Sequence, residues 1–172
     1  FRTEIIQRKS IFALLTDEEI QAKLPAAERH AIREHIPWTR LVAQTATTYN
    51  GKKIDLIEFI QKHREKLSLK PNQPSGELPV YNGWETEESA WERAIRAALR
   101  HHYVVQERVE PVTSMFPVLN FGRIESRLMA VDLQPHMYLG KVQSCSAHVS
   151  EATSGFSTLA GIAPTLMLAS GR

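Results

Sequence analysis

The chain predicts an α+β fold: a helical N-terminal segment followed by an antiparallel-rich sheet with two packed helices. Three features of the 172-residue sequence carry that prediction. The first 36 residues read as helical throughout. Two later segments, opening at Asp55 and Thr86, set apolar residues at helical spacing between short strand-like runs. After Tyr103, strand-like runs dominate the rest of the chain.

Residues 9–15 place Ile11, Phe12, Leu14 and Leu15 on one side, and this helix is expected to stop near Thr16-Asp17. Thr16 with Glu19 forms a capping-box pattern, in which each side chain satisfies an open backbone N–H, and predicts the start of a second helix. Pro25 suits the first turn of a third helix, 26–35, which Pro37 ends. Residues 41–49 are β-branched and Thr-rich, and read as one strand turning at Asn50-Gly51. Asp55 is placed to cap a helix with the stripe Leu56, Ile57, Phe59 and Ile60. Lys62, His63, Arg64 and Lys66 gather near its C-terminus, where the helix dipole favours cations. A strand to Leu69 and then a loop follow. Thr86 is the expected cap of the next helix, with Glu87 and Glu88 in its first turn and Ala90, Trp91, Ala94, Ile95, Ala98 and Leu99 on its buried face. Later strands are expected at 115–119, 124–133, 137–146 and 165–168, with the small-residue segment 150–161 as a loop.

A hydrophobic content of 42% and a charged content of 23% describe an ordinary globular chain of one domain, or a domain with a small appendage. The 21 basic residues are scattered, with no run longer than Lys52-Lys53, which argues against a nucleic-acid groove. A single cysteine, Cys145, excludes an intramolecular disulfide framework and fits a reducing compartment, so a cytoplasmic location is expected. No apolar run approaches the roughly 18–20 residues that cross a bilayer as a helix, so no membrane partner is expected. The start at Phe1 without an initiator methionine reads as a fragment or an excised domain.

Two strands end in polar residues and carry the candidate chemistry. Leu67-Ser-Leu-Lys-Pro-Asn72 brings Lys70 to a Pro/Asn/Gly loop. A fixed cation there can stabilise the negative charge that builds up during phosphoryl transfer; the plainer alternative is a strand-end lysine facing solvent. Asn72 either orients the loop and contacts a phosphate or is only a turn residue. Tyr103-Val-Val-Gln-Glu-Arg-Val109 has the apolar neighbours Val104 and Val105 of a strand buried on both faces.

Five strings, Ile36-Pro-Trp-Thr-Arg-Leu-Val42, Leu69-Lys-Pro-Asn72, Gly83-Trp-Glu-Thr86, Tyr103-Val-Val-Gln-Glu-Arg-Val109 and Val131-Asp-Leu-Gln-Pro135, occur in one order. That order resembles the C-terminal part of the circularly permuted ATP-grasp proteins, relatives of glutathionylspermidine synthetase, across residues 1–168. The resemblance implies ATP-dependent joining of a small carboxylate, or a peptide, to an amine through an acyl-phosphate. It implies ATP and Mg²⁺ as cofactors, with most magnesium ligands in a lobe that precedes this segment. On this resemblance residues 1–40 form a helical N-terminal segment and 41–172 part of an ATP-grasp-like nucleotide-binding lobe. It makes Lys70 the catalytic, phosphate-holding lysine and Asn72 and Gly76 loop contacts. Backbone groups near Gln106 would meet the adenine edge, and Glu107 would accept from ribose hydroxyls. Relatives carry a glycine-rich stretch after the lysine, whose N–H groups close over phosphates. This chain reads Gln73-Pro-Ser-Gly-Glu-Leu-Pro-Val-Tyr-Asn-Gly83. It keeps Gly76 and Gly83 but inserts Pro74 and Pro79, which lack an N–H, and Glu77, which repels phosphate. The departure opens a second reading, a non-catalytic domain that keeps the fold and acts as an interaction module.

Other residues suggest less. Asp132 and Lys141 are conceivable magnesium or phosphate contacts, or else a strand-end turn and an exposed strand position. His148 stands where relatives tend to carry an arginine, an exchange that removes a permanent fork of donors. Ser154 to Gly161 resembles the family's small-residue loop near the active site, with Ser157 and Thr158 as ligand candidates. The seven histidines show no metal-ligand spacing with Cys, Asp or Glu. Cys145 reads as a small buried residue; Trp38, Trp84 and Trp91 read as core anchors; Arg40 either reaches a ligand or stacks on Trp38.

Overall fold

The computed structural model describes residues 3–73, 78–151, 160–163 and 165. It contains helices and antiparallel sheets, as an α+β fold requires. The chain forms two compact units, Phe1–Val109 and Glu110–Arg172. Their boundary falls inside the span 41–172 that the sequence suggested as one lobe.

The first unit opens with four helices, α1 (Thr3–Gln7), α2 (Ser10–Leu15), α3 (Glu18–Gln21) and α4 (Ala26–His35). Asp17, not Thr16, caps α3: its carboxylate accepts from the N–H groups of Glu19 and Ile20. Thr16 is drawn elsewhere: its one hydroxyl proton is shared between Phe12 O and Thr39 O, and its oxygen accepts from Thr39 N–H. The expected strand 41–49 is two strands, β1 (Thr39–Leu41) and β2 (Ala46–Tyr49), in different sheets. β2 pairs with β3 (Lys52–Asp55) through the Asn50-Gly51 turn, where both residues have positive φ, 50° and 73°. Asp55 caps α5 (Leu56–Lys62) by accepting from Glu58 N–H at 2.9 Å, as the sequence predicts.

A 3₁₀ turn, Arg64–Lys66, leads into β4 (Leu67–Pro71). β5 (Tyr81–Asn82), α6 (Glu88–Arg100) and β6 (Tyr103–Glu107) complete the unit. Glu87 precedes α6 without a side-chain capping bond. The expected cap, Thr86, instead donates to Asn82 O at 2.6 Å. The sheet order is β1-β6-β4-β5, antiparallel throughout. On one face Val42, Leu67, Leu69, Tyr103 and Val105 meet Leu56 and Ile60 of α5 and Trp91, Ala94, Ile95 and Ala98 of α6. Leu99, expected on the buried face of α6, is exposed. Gly83 lies so close beneath the 3₁₀ turn that a Cβ there would strike the Arg64 carbonyl oxygen, which explains a glycine at that point.

The second unit is a meander of β7 (Val112–Asn120), β8 (Arg123–Tyr138), β9 (Lys141–Glu151) and β10 (Ala160–Ala163), in the order β10-β9-β8-β7. β7 and β8 run past the expected 115–119 and 124–133, the expected strand 137–146 is split between β8 and β9 by the turn at Leu139-Gly140, and β9 and β10 take in both ends of the segment 150–161 read as a loop. Residues 152–159, with the candidates Ser157 and Thr158, lie outside the described residues, as does 166–168 of the last expected strand. Two-residue turns join β7 to β8 and β8 to β9. Phe121 and Leu139 occupy their first positions at φ of 46° and 48°, each followed by a glycine. Among the described residues no helix is long and apolar enough to cross a membrane.

Candidate functional site

Side chains alternate across a strand, so the register of the first sheet decides which polar groups meet. Thr39 and Ser68 both pair with Gln106, and Lys70 pairs with Val104. Thr39, Gln106, Ser68 and Lys70 therefore share one face, opposite the face that α5 and α6 cover. Thr39, Ser68 and Gln106 are buried and Lys70 is half-buried.

Lys70 stands diagonal to Gln106, within reach for two long side chains, and its Nζ donates to Gln106 Oε1 at 2.8 Å. Gln106 Nε2 donates to Thr39 Oγ1 at 3.0 Å, and Thr39 Oγ1 donates to Pro37 O at 2.9 Å. Burial pushes the Lys70 pKa down from 10.5, and the neighbouring Lys9 ammonium pushes it the same way. Among the described residues no carboxylate offsets either effect.

Lys9 was not foreseen. It acts on Lys70 electrostatically, and Asn72, just past β4, ties its backbone down at the start of α2. The Asn72 carbonyl oxygen accepts from Lys9 N–H at 3.0 Å, and its Oδ1 accepts from Ser10 N–H at 2.8 Å. These are open donors of a helix N-terminus, satisfied here from 62 residues away. No local pattern at Arg8-Lys9-Ser10 signals that meeting. The Asn72 side chain thus serves the helix, while Gly76 lies outside the described residues.

Glu107 does not join Lys70. It follows Gln106 on β6 and points to the other face, where its Oε1 accepts from Tyr49 Oη at 2.7 Å. Tyr49 belongs to an aromatic group with Trp38 and Phe59, at ring-centre distances of 5.2 and 4.7 Å. Burial, then the bond to Glu107, raises the Tyr49 pKa. β6 lies between β1 and β4 and pairs with both, and Glu107 N–H donates to Trp38 O at 2.9 Å. The ladders thus take up the backbone at Gln106 that was expected to meet an adenine edge.

Arg40 stacks on Trp38 with Cζ 5.1 Å from the ring centre. Its guanidinium donates to Thr47 Oγ1 at 2.7 Å, Thr39 O at 2.7 Å, Thr16 O at 3.2 Å and Thr48 O at 3.2 Å. It acts as a clasp between α2, β1 and β2. Burial lowers its pKa, and Asp17 and Glu18 oppose that. Trp91 is a core anchor as expected, and Trp38 is partly buried against the core. Trp84 instead lies under the Arg108 guanidinium, 4.4 Å from its ring centre. In the second unit Asp132 faces His148 across β8 and β9, both exposed, so Asp132 sits inside a strand rather than at a strand-end turn. Lys141 opens β9, directly after the Leu139-Gly140 turn. Among the described residues no group of three or more His, Cys, Asp or Glu side chains could hold a metal ion.

Lys70 is thus a half-buried ammonium bonded to a neutral amide, with Lys9 acting on it as a like charge, and neither effect is offset by a described carboxylate. No protein-family model matches this chain, and a search of curated proteins gives no significant match.

Proposed function

We propose that this chain is the ATP-binding portion of an ATP-grasp-like carboxylate–amine ligase. Lys70 is the observation that supports the reading best: a desolvated lysine beside a second cation, held by an amide rather than a carboxylate. A triphosphate supplies the missing negative charge. In the proposed reaction a substrate carboxylate oxygen attacks the γ-phosphorus and the bond to the ADP oxygen breaks. The amine then attacks the acyl carbon of the acyl-phosphate and inorganic phosphate leaves. Charge builds on the transferring phosphoryl oxygens, and Lys70 with Lys9 would stabilise it there. Mg²⁺ would enter with the nucleotide, held mainly by groups outside this segment, and would neutralise phosphate charge. Glu107 has no part in this phosphate group, because its carboxylate engages Tyr49 on the opposite face. A cytoplasmic setting fits both the nucleotide and the single thiol.

Thermal melting of the intact protein with and without Mg-ATP tests the proposal, because a ligand stabilises only the state it binds. We expect Mg-ATP to raise the midpoint and Lys70→Ala to lose the rise along with ATP-dependent ligation. Normal turnover by Lys70→Ala would sink the reading.

One set of observations favours a second reading, a non-catalytic interaction module with the same fold. The Asn72 and Glu107 side chains and the β6 backbone are all engaged within the first unit. A midpoint that Mg-ATP never moves would favour it.

A further inference from the structure

Gln106 carries an amide that can face Lys70 with either its oxygen or its nitrogen, and its neighbours decide which. The Pro37 carbonyl oxygen can only accept, so the single Thr39 hydroxyl proton points to it at 2.9 Å. Thr39 Oγ1 is then left as an acceptor towards Gln106, 3.0 Å away, and must receive the Nε2 proton. That turns Oε1 towards Lys70 Nζ at 2.8 Å. With the amide reversed, an NH₂ group would confront an ammonium, donor against donor. Both Thr39 and Gln106 are buried, so water does not easily replace a missing partner.

We propose that Thr39 and Gln106 are positioning residues, a relay from the Pro37 carbonyl that aims the Lys70 ammonium at an anionic phosphate ligand while leaving its charge uncompensated. The inference rests on the anion-binding reading of Lys70. A carboxylate in place of the amide would also hold the lysine, but as an ion pair that cancels the charge the ligand needs. The amide separates aiming from neutralising. Lys9 is the other charged group that acts on Lys70, pushing its pKa down with burial, and no carboxylate of the described residues offsets it.

Two measurements on the intact protein test the relay: the midpoint rise caused by Mg-ATP, and the pH dependence of Lys70 acylation by an amine-reactive activated ester, read by mass spectrometry. Thr39→Val keeps the shape and removes the hydroxyl; Thr39→Ser restores it; Gln106→Glu replaces the amide by a charge. Thr39→Val is expected to weaken ATP binding by about threefold to tenfold, the scale of a lost hydrogen bond between neutral groups, with Thr39→Ser close to wild type. Gln106→Glu is expected to shift the Lys70 acylation midpoint to higher pH and to abolish the ATP effect. The relay is overturned if Thr39→Val keeps both the wild-type ATP response and the wild-type acylation profile, or if Gln106→Glu leaves that profile unmoved. Should Thr39→Val fold poorly, Gln106→Glu decides alone. If Mg-ATP stabilises none of the proteins, the ligase reading fails separately, and the acylation profiles still judge the relay.

Discussion

Lys70 lowers the stability of its own fold. Burial holds its pKa below 10.5, so the folded protein releases that proton at a lower pH than the unfolded chain does. Between the folded value and 10.5 the unfolded state binds more protons, and the Lys70 contribution to stability rises with pH. Below that window both states are protonated and the desolvation penalty is present in full. Lys70→Met removes that penalty but leaves Gln106 Oε1 without its donor, so the pH dependence carries the test: the melting difference between variant and wild type is expected to move in favour of wild type as pH climbs towards 10.5. Tyr49 and Tyr103, both pushed up by burial, have the opposite effect on stability above pH 10 in either protein, so the difference between the two melts isolates Lys70. Melts at a series of pH values check this; a gap that ignores pH would rule out the buried charge as its cause. Little of this was legible in the sequence. Lys70 could be read as a strand-end cation, but its tie to Gln106 spans 36 residues and depends on register. Lys9 depends on a clamp still farther away.

At the scale of elements, local signals were readable and distant ones were not. The stripe of α6 apart from Leu99, the Asn50-Gly51 turn and the Asp55 cap rest on residues a few positions apart, and these appear as expected. Thr16 and Thr86 carry the chemistry of caps, yet their hydroxyls bond to Thr39 and Asn82. The break between β1 and β2 is equally remote in origin, since β1 pairs with β6 and β2 with its hairpin neighbour. The packing of the 3₁₀ turn on Gly83 gives a prediction at this scale. Gly83→Ala would drive a Cβ against the Arg64 and Leu67 carbonyl oxygens, and the turn or β4 must move to accommodate it. We expect a loss of about 1–3 kcal/mol, the usual range for overpacking, measured by urea denaturation; an unchanged midpoint would show that the turn yields freely.

Across the whole molecule, apolar burial is uneven. Among the described residues the buried apolar side chains of the second unit are Met129 and Ala147, whereas the first unit has a continuous core from Val42 to Val105. Local opening is easiest where few apolar contacts oppose it. Amide hydrogen exchange should accordingly be slowest in β4 and β6 and clearly faster in β7 to β9, despite the greater length of those strands. Peptide-level mass spectrometry reads the contrast directly, and equal protection in the two units would overturn it. The long strands after Tyr103 were legible as strands because β-branched and apolar residues recur along them, as in Met115–Leu119. Their ends were not, because pairing in the meander extends them past those runs.

The two hairpin turns of that meander set a bulky residue where the backbone is left-handed and the side chain touches little. Phe121 and Leu139 are both strongly exposed at positive φ, a conformation that costs L-residues about 1–2 kcal/mol each. Asparagine tolerates the same geometry, and the Asn-Gly turn between β2 and β3 already uses it. Phe121→Asn and Leu139→Asn should thus raise the thermal midpoint, with no buried contact disturbed. They make these tips the first places to engineer a hardier form of the chain.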